Sequence, residues 1–107
     1  MDLMTKALEA EFRKIGTQEN VRDPIVVCKF FYPAGAGTWY AISYDPEKRE
    51  FFGFVDLLEA EWGYFSLDEL EEVKGPLGLG IERDLHWEPV PISQVMPKAC
   101  FGRHETE

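Results

Sequence analysis

The residues with the clearest chemical potential lie between positions 81 and 88, where acidic and histidine side chains occupy alternate positions. If this stretch is an extended strand, Glu82, Asp84, His86 and Glu88 project to one side, spaced about 6.6 Å apart. Carboxylate and imidazole groups on one face can bind a divalent ion, which would activate water for hydrolysis. The same alternation is typical of a solvated strand face, which is the interpretation we favour. We therefore expect no metal and no cofactor, and Glu82, Asp84 and His86 are the candidates for a metal-dependent hydrolase.

Aromatic side chains form the second set of candidates, because the chain of 107 residues contains 8 Phe, 4 Tyr and 3 Trp. Most of these rings must fill the core of so small a domain. Rings left on the solvent face of a sheet would instead anchor a protein partner or stack on the bases of a single strand. The predicted binding residues are Trp39, Tyr40, Trp62, Tyr64 and Arg83.

The excess of acidic over basic residues favours some classes of binding partner over others. Lys and Arg number 11 against 20 Asp and Glu, for a formal net charge of -9. This charge repels a phosphate backbone, so duplex DNA is not expected to bind and a protein partner is favoured. Two nucleic-acid roles stay open as alternatives: a surface that imitates DNA, and single-strand binding by rings together with Lys29, Arg49 and Arg83.

Cysteine usage and hydropathy indicate a cytoplasmic protein. Cys28 lies in an apolar run and Cys100 in a polar stretch, so both are expected to be free thiols. We recognise neither a signal peptide nor an apolar stretch of the roughly 20 residues that a membrane span requires. No membrane association is predicted.

The first half of the chain predicts one helix followed by a sheet. Apolar residues between positions 3 and 15 recur at helical spacing, with Asp2 as a possible N-cap and Gly16 as the stop. Residues 25–32 are predicted to form a mostly buried strand, and residues 38–44 and 51–55 an antiparallel hairpin. In the first strand of that hairpin, simple alternation places Tyr40, Ile42 and Tyr44 on one face, and Gly53 in the second marks a bulge or a close contact.

The second half predicts a strand over residues 61–65 that leads directly into a short helix. Ser66 and Glu69 have the spacing of a capping box, and Gly75 with Pro76 ends the helix. An extended, partly paired segment follows over residues 77–88. The order of elements indicates an α+β fold, with a twisted, mainly antiparallel sheet of four to five strands and helices on one face. We assign residues 1–96 to a single domain and 97–107 to a flexible tail.

Several blocks of the sequence resemble a bacterial family, domain-of-unknown-function family 2958. The strongest matches are the stretches from Gly63 to Leu70 and from Gly75 to Leu85, with shorter ones at residues 23–26, 29–31, 38–40 and 51–53. The chain departs from the family pattern at Ala34–Gly37, at Trp62 and after Val95.

The resemblance implies a small stand-alone protein of the kind found on plasmids and other mobile elements, and it supplies no catalytic or binding residue. The predicted function is accordingly a non-enzymatic protein-interaction or accessory module. The nucleic-acid roles and the metal-dependent hydrolase are its alternatives.

Overall fold

The computed structural model of the chain describes residues 2–95. The helices are α1 (Lys6–Ile15) and α2 (Leu67–Glu72), with single 3-10 turns at Pro76–Gly78 and Ile92–Gln94. The strands are β1 (Ile25–Val26), β2 (Cys28–Phe31), β3 (Thr38–Asp45), β4 (Glu50–Asp56), β5 (Ala60–Ser66), β6 (Glu82–Arg83) and β7 (Val90–Pro91).

Strands β5-β4-β3-β2-β6 form, in that order, one antiparallel sheet, and β1 pairs with β7 in a second, two-stranded sheet. The predicted α+β class, the antiparallel sheet, the N-terminal helix and the short capped helix are all confirmed. The single strand predicted over residues 25–32 is divided, because Val26 pairs with Val90 whereas Cys28 pairs with Ala41. The chain thus changes sheets at Val27.

Helix α1 begins later than its hydrophobic pattern indicated. The Thr5 hydroxyl accepts a hydrogen bond from the Leu8 amide at 3.1 Å, so Thr5 is the N-cap and the assignment to Asp2 was wrong. Gly16 ends the helix as predicted, with φ at 77°, a conformation that glycine adopts without steric cost.

A bulge at Ile42 interrupts the alternation of β3. Ala41 lies opposite Gly53 and Ser43 opposite Phe52, so Ile42 has no partner in the register. The predicted common face is confirmed for Tyr40 and Ile42, which pack in the same cluster, and is wrong for Tyr44. The extra residue shifts Tyr44 onto the face that also carries Trp39 and Ala41, where it packs against the core beneath α1.

The two faces of the main sheet bury separate cores. The face covered by α1 and α2, here called the helix face, buries the larger one, with Phe12, Phe30, Phe51 and Leu67 among its members. The opposite face, here called the outer face, buries a smaller core of Val26, Ile42, Phe54 and Ile92. Apart from the bulge in β3, the strands of the sheet contribute side chains alternately to the two sides.

The segment over residues 77–88 is partly paired, as predicted, but the pairing is shorter than a continuous strand would give. Only Glu82 and Arg83 pair with β2, opposite Phe31 and Phe30. The Asp84 carboxylate then accepts a hydrogen bond from the His86 amide at 2.9 Å and turns the chain away from the sheet. A continuous strand with alternating faces is thus ruled out for residues 81–88.

Cys28 is a free thiol, as predicted, and is buried in the core of the helix face. Burial raises the pKa of this thiol, against a smaller opposing effect of the Arg83 guanidinium. Cys100 and the predicted tail lie outside the described residues. Among residues 2–95, no helix has the length and apolar character needed to cross a membrane.

The contact between Gly53 and β3 yields a first prediction. A Cβ atom at Gly53 would collide with the backbone carbonyl oxygen of Tyr40, whereas one at Gly63, directly opposite on β5, would meet nothing within 4 Å. Gly53→Ala should therefore lower the free energy of unfolding by about 1–3 kcal/mol or more. Gly63→Ala is the matched control and should unfold at nearly the wild-type urea concentration. Equal midpoints for the two variants would contradict the contact.

The cap of α2 yields a second prediction. The Ser66 hydroxyl accepts a hydrogen bond from the Glu69 amide at 3.2 Å and satisfies one orphan donor of the helix. Ser66→Ala should cost about 0.5–2 kcal/mol in urea unfolding. Ser66→Asp keeps an acceptor at this position and should recover most of the loss, and a failure to do so would argue against the cap.

Candidate functional site

Six aromatic rings follow one another across the outer face of the sheet, and we call them the aromatic row. In order, they belong to Trp87, Tyr40, Phe54, Trp62, Phe52 and Tyr64. Successive ring centroids are separated by 6.1, 6.4, 5.6, 6.0 and 5.0 Å. These separations lie in the range in which aromatic pairs attract each other beyond simple burial.

The register of three strands builds the row. Phe54 of β4 lies opposite both Tyr40 of β3 and Trp62 of β5, and Phe52 lies opposite Tyr64. Directly opposed residues of antiparallel strands project to the same face, so the rings form a continuous band.

The row is closed at one end. The Trp87 indole donates a hydrogen bond to the Val26 carbonyl at 3.0 Å, and the Lys29 ammonium lies 5.8 Å from its ring centroid. Phe54 and Ile92 are almost completely buried beside it. This half of the row belongs to the core of the outer face.

The other end is open to solvent. Trp62 and Phe52 are half-buried, and the Tyr64 side chain is 72% exposed although it continues the same band of rings. We call Trp62, Phe52 and Tyr64 the open end of the row. These rings lie on β4 and β5, and β5 is an edge strand of the sheet, paired on one side only within the described residues.

A groove of about 510 Å³ adjoins the open end. It extends from Phe52 and Tyr64 past the β3–β4 hairpin to the C-terminal end of α1. Tyr44 and Ser43 also line it. The charged residues along it are the four carboxylates Glu9, Glu19, Asp45 and Glu50 and the two cations Arg13 and Lys48.

The structure brings only part of the predicted binding set together. Tyr40, Trp62 and Tyr64 all belong to the row, with Tyr40 in its closed half. Trp39 faces the other side of the sheet, where it packs against the larger core. Arg83 is likewise on that side, and its guanidinium donates to the backbone oxygens of Asp2 and Leu3 at 2.7 and 2.9 Å.

Sequence reasoning missed the rings that join the predicted ones. Phe52, Phe54 and Trp87 complete the row, and the alternation of Phe52 and Phe54 along β4 was the available signal for two of them. Nothing in the local sequence indicated Trp87, because its position depends on the turn at Asp84.

The weak metal candidates do not form a cluster. Glu82 lies in β6, whereas Asp84 and His86 belong to the turn that follows it. Within residues 2–95, no three His, Cys, Asp or Glu side chains are grouped so that they could hold a metal ion.

The basic residues considered for single-strand binding are separated from one another. Arg49 donates to the carboxylates of Asp68 at 2.7 Å and Glu71 at 3.1 Å on α2. Lys29 lies beside Trp87, and Arg83 holds the N-terminal backbone. The fold distributes these three cations over different contacts and does not assemble a patch from them.

The fold and the row define a small α+β protein with an aromatic outer face. The chain belongs to the family described as "Protein of unknown function (DUF2958)", whose family model matches residues 2–100. The resemblance noted from the sequence blocks is thus confirmed. Neither a curated protein nor a solved structure is similar enough to this chain to count as a match.

The Tyr40 hydroxyl provides a pH-dependent test of the row. Burial in the row, and secondarily the Asp56 carboxylate, raise the pKa of Tyr40 above its ordinary value of 10.0. The neutral phenol is therefore favoured in the folded state, and its contribution to stability is complete below about pH 10 and is lost as the pH rises through the folded-state pKa.

We therefore expect Tyr40→Phe to lose less stability than the wild type when the pH is raised from 9 to 11, each relative to its own value at pH 7. Urea midpoints at a series of pH values measure this difference. Asp56→Asn removes the secondary cause and should reduce the dependence only slightly. Parallel pH profiles for wild type and Tyr40→Phe would refute the shift.

Proposed function

We propose that this chain is a non-enzymatic protein-interaction module that binds its partner through the open end of the aromatic row. The observation that carries the proposal is the 72% exposure of Tyr64 in a row whose other rings are all buried or half-buried. Exposed aromatic side chains held rigid by packed neighbours are typical anchors of protein interfaces.

The strand that carries Tyr64 supports the same proposal. As one of the two edge strands of the sheet, β5 has one side without a neighbouring strand in the described part of the chain. An unpaired strand edge can accept an extended segment of another protein, whose main chain then continues the sheet. Trp62 and Tyr64 alternate along β5 and would contact the side chains of such a segment.

The charge distribution favours a protein over a nucleic acid. A single-strand binder combines its rings with a basic groove, whereas the groove beside Tyr64 has four carboxylates and two cations. On the family resemblance alone, we propose an accessory role in mobile genetic elements. The cysteine usage and hydropathy of the sequence support a proposed location in the cytoplasm.

Photocrosslinking in the native host tests this function. A benzophenone side chain in place of Tyr64 should crosslink a defined protein, which mass spectrometry of the adduct identifies. The control carries the same group in place of Glu72, which is exposed on α2 at the helix face and should give no such adduct. Identical adducts from both positions, or adducts with nucleic acid only, would overturn the proposal.

A further inference from the structure

The groove beside the open end has features that specify the chemistry of its occupant. We infer that it binds a segment of the partner bearing arginine or lysine side chains, an inference that rests on the proposed function. The groove runs from Tyr64 to the end of α1 and has a volume of about 510 Å³, which lies in the range of ligand-binding clefts.

The carboxylates of the groove are only partly balanced within the protein. Glu9 is paired with Arg13 at 3.4 Å, one helical turn further along α1. Glu19 and Glu50 make no ion pair with any residue between positions 2 and 95. The groove therefore offers negative charge to an incoming cation, and the overall charge of -9 adds to this attraction at longer range.

One carboxylate is fixed in position by the hairpin itself. The Asp45 Oδ1 atom accepts hydrogen bonds from the amides of Glu47 at 3.0 Å and Lys48 at 3.4 Å. These contacts orient the side chain in the lining of the groove, and neither of them uses Oδ2. An oriented carboxylate binds a guanidinium with a smaller loss of conformational entropy than a mobile one.

The aromatic side chains of the groove complement the carboxylates. Tyr44 is held by Phe12 and Phe51, with ring centroids 5.9 and 4.8 Å away, and Phe52 and Tyr64 contact each other. The face of an aromatic ring attracts a cation, and a guanidinium can stack on a ring while it donates hydrogen bonds to a carboxylate. Rings and unbalanced carboxylates together thus favour arginine above other side chains.

The same features argue against other occupants. An anionic ligand would meet the excess of carboxylates, and a second copy of this chain would bring a further net charge of -9 to the contact. A neutral apolar segment would make no favourable electrostatic interaction with the carboxylates of Glu19 and Glu50. A basic segment is the occupant whose charge matches the groove.

The experiment uses a dye-labelled peptide of alternating arginine and serine, with blocked termini, and a matched peptide that has citrulline in place of arginine. Citrulline keeps the shape of arginine but carries no charge. Fluorescence anisotropy should show that the purified chain binds the arginine peptide, that binding weakens as salt is added, and that the citrulline peptide binds at least about tenfold more weakly.

Variants then locate the binding to the groove. Glu50→Gln should lower the affinity for the arginine peptide about threefold, and the double variant E19Q/E50Q should lower it about tenfold. Tyr64→Ser should also weaken it, through loss of the ring face. Glu72→Gln removes the same charge from α2, outside the groove, and should bind as the wild type does.

Equal binding of the two peptides would overturn the inference, since it indicates binding that does not depend on the charge of the peptide. Equal weakening by Glu50→Gln and Glu72→Gln would also overturn it, since it indicates attraction to overall charge alone. A partner that crosslinks at position 64 with undiminished yield in E19Q/E50Q would also overturn it, while the interaction module itself stands. Absence of any partner adduct at position 64 would instead remove the proposed function.

Discussion

The close approach of β4 to β3 at Gly53 is the constraint on which the arrangement of the aromatic side chains depends. The Tyr40 carbonyl oxygen occupies the space that a Cβ atom at Gly53 would need, and the bulge at Ile42 follows directly along β3. A bulge inserts one residue into the alternation, so every side chain beyond it changes face. Tyr44 therefore joins the core beneath α1, and Ser43 takes the place on the outer face opposite Phe52.

That exchange decides how these two side chains stand at the groove. With strict alternation, Tyr44 and not Ser43 would lie on the outer face near Phe52. The bulge places the small Ser43 side chain there, and both Ser43 and Tyr44 line the groove. A backbone irregularity in the middle of the sheet thus changes which side chains its surface presents about two residues away.

The features that could be predicted from the sequence are those that depend on neighbouring residues. The cap at Ser66, the stop at Gly16 and the hairpin after Asp45 are local interactions, and each is present in the structure. The position of Trp87 and the division of the first strand depend on contacts with distant parts of the chain. The prediction of simple alternation failed over residues 77–88 because the Asp84 carboxylate caps a turn. A side chain that bonds to the nearby backbone competes with the hydrogen bonds of a sheet, and the period of the hydrophobic residues does not reveal this competition.

The row contributes to folding and, in the proposed function, to binding, and the balance between the two contributions changes along its length. Phe54 lies in the smaller core and Trp87 holds the Val26 backbone, so a change at either ring acts first on stability. Trp62 contacts both the buried Phe54 and the half-buried Phe52, and a substitution there would affect the core and the open end together. Tyr64 contacts the row at its edge and has most of its surface in solvent. The two properties are therefore separable at Tyr64, where the loss of a ring removes a contact surface and leaves the core of the outer face in place.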